Sequence, residues 1–335
     1  MKSLSYRILF FMSLCCMIFV ACENNELEIV QAEEDTTSVT LRIAAGTGEP
    51  SVGTRYVDAS QYEGIRTLRV IVTTGSGEDR EIVYNDMPAI TGGNSLVETI
   101  TIPHVPIGET MFYVVANEAS LGKSYTDEQI REDLVSNGKV LFVDEQANRH
   151  FPKLGPDIAQ DGLPMTGRQA VKVSKDMLPV NIEMERAVVK LSLTVENVTA
   201  SDIELTSVKF GPFSGDRLYL FPEYNLDVPD NAQYTEFGYE NQSISIAAGG
   251  KTDKLSAYIY PTYAYMNPMG DNPYTLALST NVKEYEALVF APNHNSFRRN
   301  TQVNITARIT TAVGITLNFE VTDWDEYPIE VPPFE

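Results

Sequence analysis

The chain has 335 residues, 43% of them hydrophobic, with 46 acidic against 25 basic residues and a formal charge of −21. Such a balance excludes a nucleic-acid partner, which needs a basic face. The three histidines, His104, His150 and His294, have no second histidine or cysteine at metal-ligand spacing, so neither a metal centre nor a cofactor is expected.

Lys2 and Arg7 precede an apolar run over residues 8–20, too short for a comfortable membrane span and built like a signal peptide. The run ends Phe19-Val20-Ala21-Cys22, which resembles the lipobox of bacterial lipoproteins, although Phe19 stands where leucine is usual. There the small residue precedes the cysteine whose thiol takes the lipid. Cys15 follows the bulky Leu14, so Cys22 is the expected lipidation site and residues 1–21 the expected leader. Cleavage before Cys22 leaves one cysteine, which is acylated, and so no disulfide and no thiolate nucleophile. Each buried lipid methylene contributes about 0.8 kcal/mol, so several acyl chains hold a protein firmly on a membrane. Residues 22–37 follow as an acidic, solvated tether with Glu23, Glu26, Glu28, Glu33, Glu34 and Asp35.

Val39, Leu41 and Ile43 then alternate with Thr40 and Arg42, the period of a half-buried strand. A Gly/Pro-rich loop over residues 46–53 leads to Thr54-Arg55-Tyr56, and a second strand pattern covers 68–72. An arginine after such a loop is a place where a protease can release one strand from a sheet. The plainer reading is an ordinary loop between two strands. Further strands are predicted over 81–84, 96–102, 111–117, 170–173, 180–184, 187–195, 203–210, 217–221, 243–247, 255–260, 274–280, 285–290, 302–309 and 315–322. They are short, rich in tyrosine and β-branched residues, and separated by Gly, Pro, Asn and Asp, the pattern of β-sandwiches. One helix is expected from Thr126, with Gln129 completing a capping box and Ile130 and Leu134 on one face. Residues 137–167 read as a long irregular connection over the first domain. A new β segment starts at Arg186, so the expected units are 38–185 and 186–335.

No nucleophile elbow, phosphate loop or dinucleotide fingerprint occurs, and no enzymatic activity is expected. Asp323, Asp325 and Glu326 surround Trp324, the one tryptophan. They suggest glycoside hydrolysis or calcium on one reading, and a packed tryptophan with solvated acids on the plainer one. Tyr258, Tyr260, Tyr263 and Tyr265 form either a sugar-stacking platform or ordinary sheet packing.

Several motifs in order resemble the fimbrillin family of Bacteroidales, the subunits of type V pili. They are the lipobox at Cys22, with Glu23 and Glu26 loosely matching an export signal; Thr54-Arg55-Tyr56 and the strand after it; and Phe112-Tyr113-Val114-Val115-Ala116-Asn117. Leu163-Pro164-Met165-Thr166-Gly167, Arg186-Ala187-Val188-Val189-Lys190-Leu191 and the late Trp324 complete the series, which spans nearly the whole chain. The resemblance implies an all-β protein of two transthyretin-like β-sandwich domains in tandem, exported to the cell surface as an outer-membrane lipoprotein. It implies cleavage between Arg55 and Tyr56 by an arginine-specific protease, loss of the strand carrying Val39, Leu41 and Ile43, and filling of the groove by a C-terminal strand of another pilus subunit. Ile329, Val331 and Phe334 are the candidate donor residues here, with a host or bacterial surface ligand as a further partner. The alternatives are a tip or uncleaved anchor subunit of the same pilus, since Pro332-Pro333 interrupts a donor ladder, or a surface glycan-binding lipoprotein using Tyr258–Tyr265.

Overall fold

The computed structural model describes residues 35–45, 62–76, 79–91, 93, 95–123, 125, 130, 133–134, 139–145, 150–265, 270–310 and 314–323. The strands in chain order are β1 (Thr36–Ala45), β2 (Leu68–Thr74), β3 (Glu81–Asp86), β4 (Val97–Pro106), β5 (Gly108–Ala116), β6 (Leu141–Val143), β7 (Lys153–Leu154), β8 (Met165–Val173) and β9 (Val180–Arg186). There follow β10 (Val189–Asn197), β11 (Ile203–Ser214), β12 (Arg217–Tyr219), β13 (Thr235–Tyr239), β14 (Ile244–Ile246), β15 (Leu255–Ile259), β16 (Thr275–Thr280), β17 (Glu284–Val289), β18 (Thr301–Ile309) and β19 (Ile315–Asp323). The all-β expectation is met.

Seven strands of the first half form one sheet in the order β3-β2-β5-β8-β9-β1-β4. It folds over where β8 meets β9 through two residue pairs, Met165–Arg186 and Thr166–Glu185. The layers β3-β2-β5-β8 and β9-β1-β4 then face one another across a core that includes Val39, Leu41, Val70, Phe112, Val114, Ile102 and Ile182. Alternation produces this directly, because every second side chain of a strand points the same way. β1 begins at Thr36, slightly earlier than the expected domain start at 38.

β2 and β5 are buried on both faces, which is why Phe112–Ala116 is an unbroken apolar run. Their outer side chains Ile71, Tyr113 and Val115 enter a second core with Phe142, Phe151 and Ile158 and with Leu220, Phe221 and Tyr260 from beyond β9. This corrects the reading of residues 137–167 as a surface connection. Their apolar residues have no period because the segment wedges between the two halves. It gives β6 to β12 and β7 to β15. Ile130 and Leu134 are fully buried in the same core, whereas Thr126 and Gln129 lie outside the described residues.

The second half is a sandwich of the sheet β19-β18-β10-β15-β7 on the sheet β13-β11-β16-β17, with β14 paired to β11. The core between them contains Leu191, Leu193, Ile305, Leu276, Leu278 and a cluster around Phe213. Phe213 lies within 5.2–6.3 Å of the rings of Phe237, Tyr274, Phe290 and Phe297. β13 was absent from the predicted strands; Thr235-Glu236 and Gly238 weaken its pattern, and Phe237 alone turns inward. The passage from one sandwich to the other falls between Arg186 and Val189.

Candidate functional site

β1 lies inside its sheet, antiparallel to β4 and parallel to β9. The side chains of Val39, Leu41 and Ile43 are 0% exposed, while Arg42 faces solvent and Thr40 shares a hydroxyl contact of 3.3 Å with Thr101. Burial of the three apolar side chains contributes about 1.5–3 kcal/mol each. The two borders of the strand differ. β4 accompanies it from Thr36 to Ala44, but β9 only from Leu41 to Ala45. Among the described residues, its N-terminal half is therefore bordered by one strand.

The exit from β1 and the return of the chain are fixed at neighbouring points. The Ala45 N–H donates to the Leu96 carbonyl and the Ile65 N–H to the Ser95 carbonyl, both at 2.8 Å. Arg55 and Tyr56, in the connection between them, lie outside the described residues, as do Cys22, Trp324, Ile329, Val331 and Phe334.

The return segment is held independently of β1. Fully buried Asn117, at φ 59°, is its clasp. Its amide donates to the Gly64 and Leu163 carbonyls at 2.9 and 2.8 Å, and its Oδ1 accepts from the N–H groups of Arg66 and Thr67 at 2.9 and 3.3 Å. Asparagine suits the place because its short amide both donates and accepts and it tolerates the left-handed region. A Cβ on Gly162 would stand 2.7 Å from the Asn117 amide nitrogen, so a glycine is needed there. Arg186 adds an ion pair to Glu63 at 2.7 Å, and the Leu163 N–H donates to the Tyr62 carbonyl at 2.7 Å. Asn117→Ala should cost about 2–4 kcal/mol, since it leaves buried donors and acceptors unmet; urea unfolding checks this, and a loss below about 1 kcal/mol would refute the clasp.

The other motifs meet at the junction of the halves. Thr166 donates to the Leu220 carbonyl and accepts from Arg299 Nη2 at 2.7 Å. Arg299 is 2% exposed and stands 3.8 Å from the Glu185 carboxylate. Burial pulls its pKa down to about 10, opposed by Glu185, so it stays charged at neutral pH. Gly167 lies against the β9 backbone, where a Cβ would meet the Glu183 carbonyl at 2.4 Å. Arg186 Nη1 donates to Asn300 Oδ1 at 2.9 Å. Burial lowers the pKa of Lys190, opposed by Glu63 and reinforced by Arg186. Asn117 and Arg186 were noticed in the sequence for their motifs; Arg299 and Glu63 carried no local signal there.

The tyrosine platform does not form. Tyr258 and Tyr260 are buried, and burial raises the pKa of the Tyr258 hydroxyl. Tyr260 packs against Phe142 and Phe151 with ring centroids at 5.7 and 5.2 Å, which leaves Tyr263 and Tyr265 nearer the surface. His104 is exposed, His150 lies 3.5 Å from Asp144, and His294 stands edge-on to Phe319. No group of metal-binding side chains occurs among the described residues.

No family model matches the chain, and no curated protein matches it. Solved structures do. The tip fimbrial protein Mfa3 of Porphyromonas gingivalis, with a C-terminal truncation, superposes with a TM-score of 0.55 at 12% identity, covering 86% of this chain and 99% of that one. A fimbrial assembly protein of Parabacteroides distasonis gives 0.50 at 15% identity, covering 86% and 99%. The chain therefore has the fold of the Bacteroidales fimbrial proteins, the proteins its motifs resemble.

Proposed function

We propose that this protein is a structural and adhesive subunit of a cell-surface pilus, without enzymatic activity. It is exported as a lipoprotein through Cys22, cut after Arg55 by an arginine-specific protease, and joined to other pilus subunits by strand exchange. The observation that carries this reading is β1 itself. It is a sheet strand whose three apolar side chains are fully buried, and the chain following it passes through Arg55 before reaching an independently clasped return segment. Loss of β1 exposes an apolar slot and unpaired backbone along β4 and β9, and a strand from another subunit satisfies both. Ile329, Val331 and Phe334 are the proposed donor residues. Retaining β1 until export prevents early polymerisation.

N-terminal sequencing of protein recovered from the cell surface tests the reading. Wild type should begin at Tyr56, and Arg55→Ala should yield a longer, acylated form that builds no fibres. Wild-type fibres made of chains that begin at Cys22 would refute it. A tip or anchor role is the second reading, favoured by Pro332-Pro333, which removes two backbone donors from any C-terminal ladder. A surface form that begins at Cys22 and stays at the fibre base would establish the anchor.

A further inference from the structure

We propose that the cleft at the junction of the two halves binds a carbohydrate. The inference does not rest on strand exchange, because the cleft is present with β1 in place. The cleft has a volume of about 350 Å³ and opens where β8 and β9 diverge beyond their two shared pairs. That is within the ordinary range of small-ligand sites, about 300–1,000 Å³.

Its lining is mostly polar and planar. Arg168 and Gln169 come from β8, Glu183 and Glu185 from β9, and Glu223 and Asn225 from the loop after β12. Arg299 underlies them, and its bonds to Thr166 and to the Leu220 and Glu185 carbonyls fix it there. Phe221 and Pro222 supply an apolar wall.

Charge decides the ligand class. Three carboxylates against two guanidinium groups leave the cleft slightly negative, which disfavours phosphate, sulfate and acidic peptides. The two arginines, one of them fixed at the base, oppose a cationic side chain. A neutral polyol meets neither objection. Its hydroxyls donate to Glu183 and Glu223 and accept from Arg168, Gln169 and Asn225, and paired hydroxyls match the two-pronged geometry of these planar groups. The C–H face of a sugar ring packs on the apolar wall that Phe221 and Pro222 supply.

The test uses the uncleaved full chain and saturation-transfer NMR with glucose, galactose, mannose and N-acetylglucosamine, plus a lysine-rich peptide as the cationic competitor. At least one sugar should bind with Kd about 1 mM, a usual value for a small weak ligand. Glu223→Ala and Glu183→Ala should each weaken it tenfold or more, with unchanged thermal unfolding because both residues are exposed. Val282→Ala, an exposed change on the turn before β17, should leave binding unaltered. Three results would overturn the proposal: no saturation transfer to any of these sugars, equal transfer in the two cleft variants and wild type, or tighter binding of the lysine-rich peptide than of every sugar.

Discussion

A chain beginning at Tyr56, and so lacking β1, should lose the order of β4 and regain it when a peptide spanning Thr36–Ala45 is supplied. Val39, Leu41 and Ile43 together bury about 4.5–9 kcal/mol of apolar stabilisation, comparable with the whole stability of an ordinary domain, about 5–15 kcal/mol. β4 feels the loss most directly, because within the described sheet β1 is its one neighbouring strand. Hydrogen exchange along Val97–Pro106 reads the outcome. Without peptide these amides should exchange freely, and with it they should be protected in proportion to peptide concentration, as mass action requires. A Leu41→Asp peptide should fail, since it places an unpaired carboxylate in an apolar slot. A peptide of residues 326–335 tests the donor assignment in the same experiment, and should also protect β4. Equal protection of β4 with and without any peptide would show that the slot closes by itself, and the strand-exchange reading would fall.

The sequence disclosed the elements whose burial follows a simple period. Alternation in β1, β9, β18 and β19 sets one face inward, so their positions and inward residues were legible to within a few positions. The continuous apolar run of β5 was legible as a strand, but not the reason for its second buried face, which is covered by residues that include the remote Phe142, Phe221 and Tyr260. Residues 137–167 failed for the same reason. Phe142, Phe151, Ile158 and Leu163 are buried by contacts with the other half of the chain, and tertiary contacts of that kind leave no local period. The cleft was invisible too. Glu183, Glu223 and Arg299 are remote in sequence, and each alone reads as an ordinary surface charge, although Arg299 is 2% exposed. Asn117 and Arg186 stood out as parts of motifs; what they hold became apparent from their partners, Gly64, Leu163, Glu63 and Asn300.

Arg186→Ala should destabilise the protein by about 3–5 kcal/mol, the usual cost of removing one partner from a buried ion pair. Arg186 ends β9 and is 4% exposed, and it joins three segments at once. Its Nη2 donates to Glu63 Oε2 at 2.7 Å, in the return segment, and its Nη1 to Asn300 Oδ1 at 2.9 Å. Asn300 in turn donates its N–H to the Val188 carbonyl at 3.0 Å, where the second half begins. Removing the guanidinium leaves the Glu63 carboxylate buried without this cation, and it loosens both the clasped segment and the junction. A double-mutant cycle with Glu63→Ala separates the pair from its surroundings. The double variant should lose less than the sum of the two single losses by more than about 0.5 kcal/mol, the margin within which independent sites add. Arg186→Met with Glu63→Leu should recover most of the loss, because an apolar pair of similar volume removes both desolvated charges. The loss in Arg186→Ala should also change little between low and high salt, since buried charges are weakly screened. Additive single losses, or a loss that disappears in salt, would mean that the pair behaves as a surface contact and that the two halves are held together by their apolar interface alone.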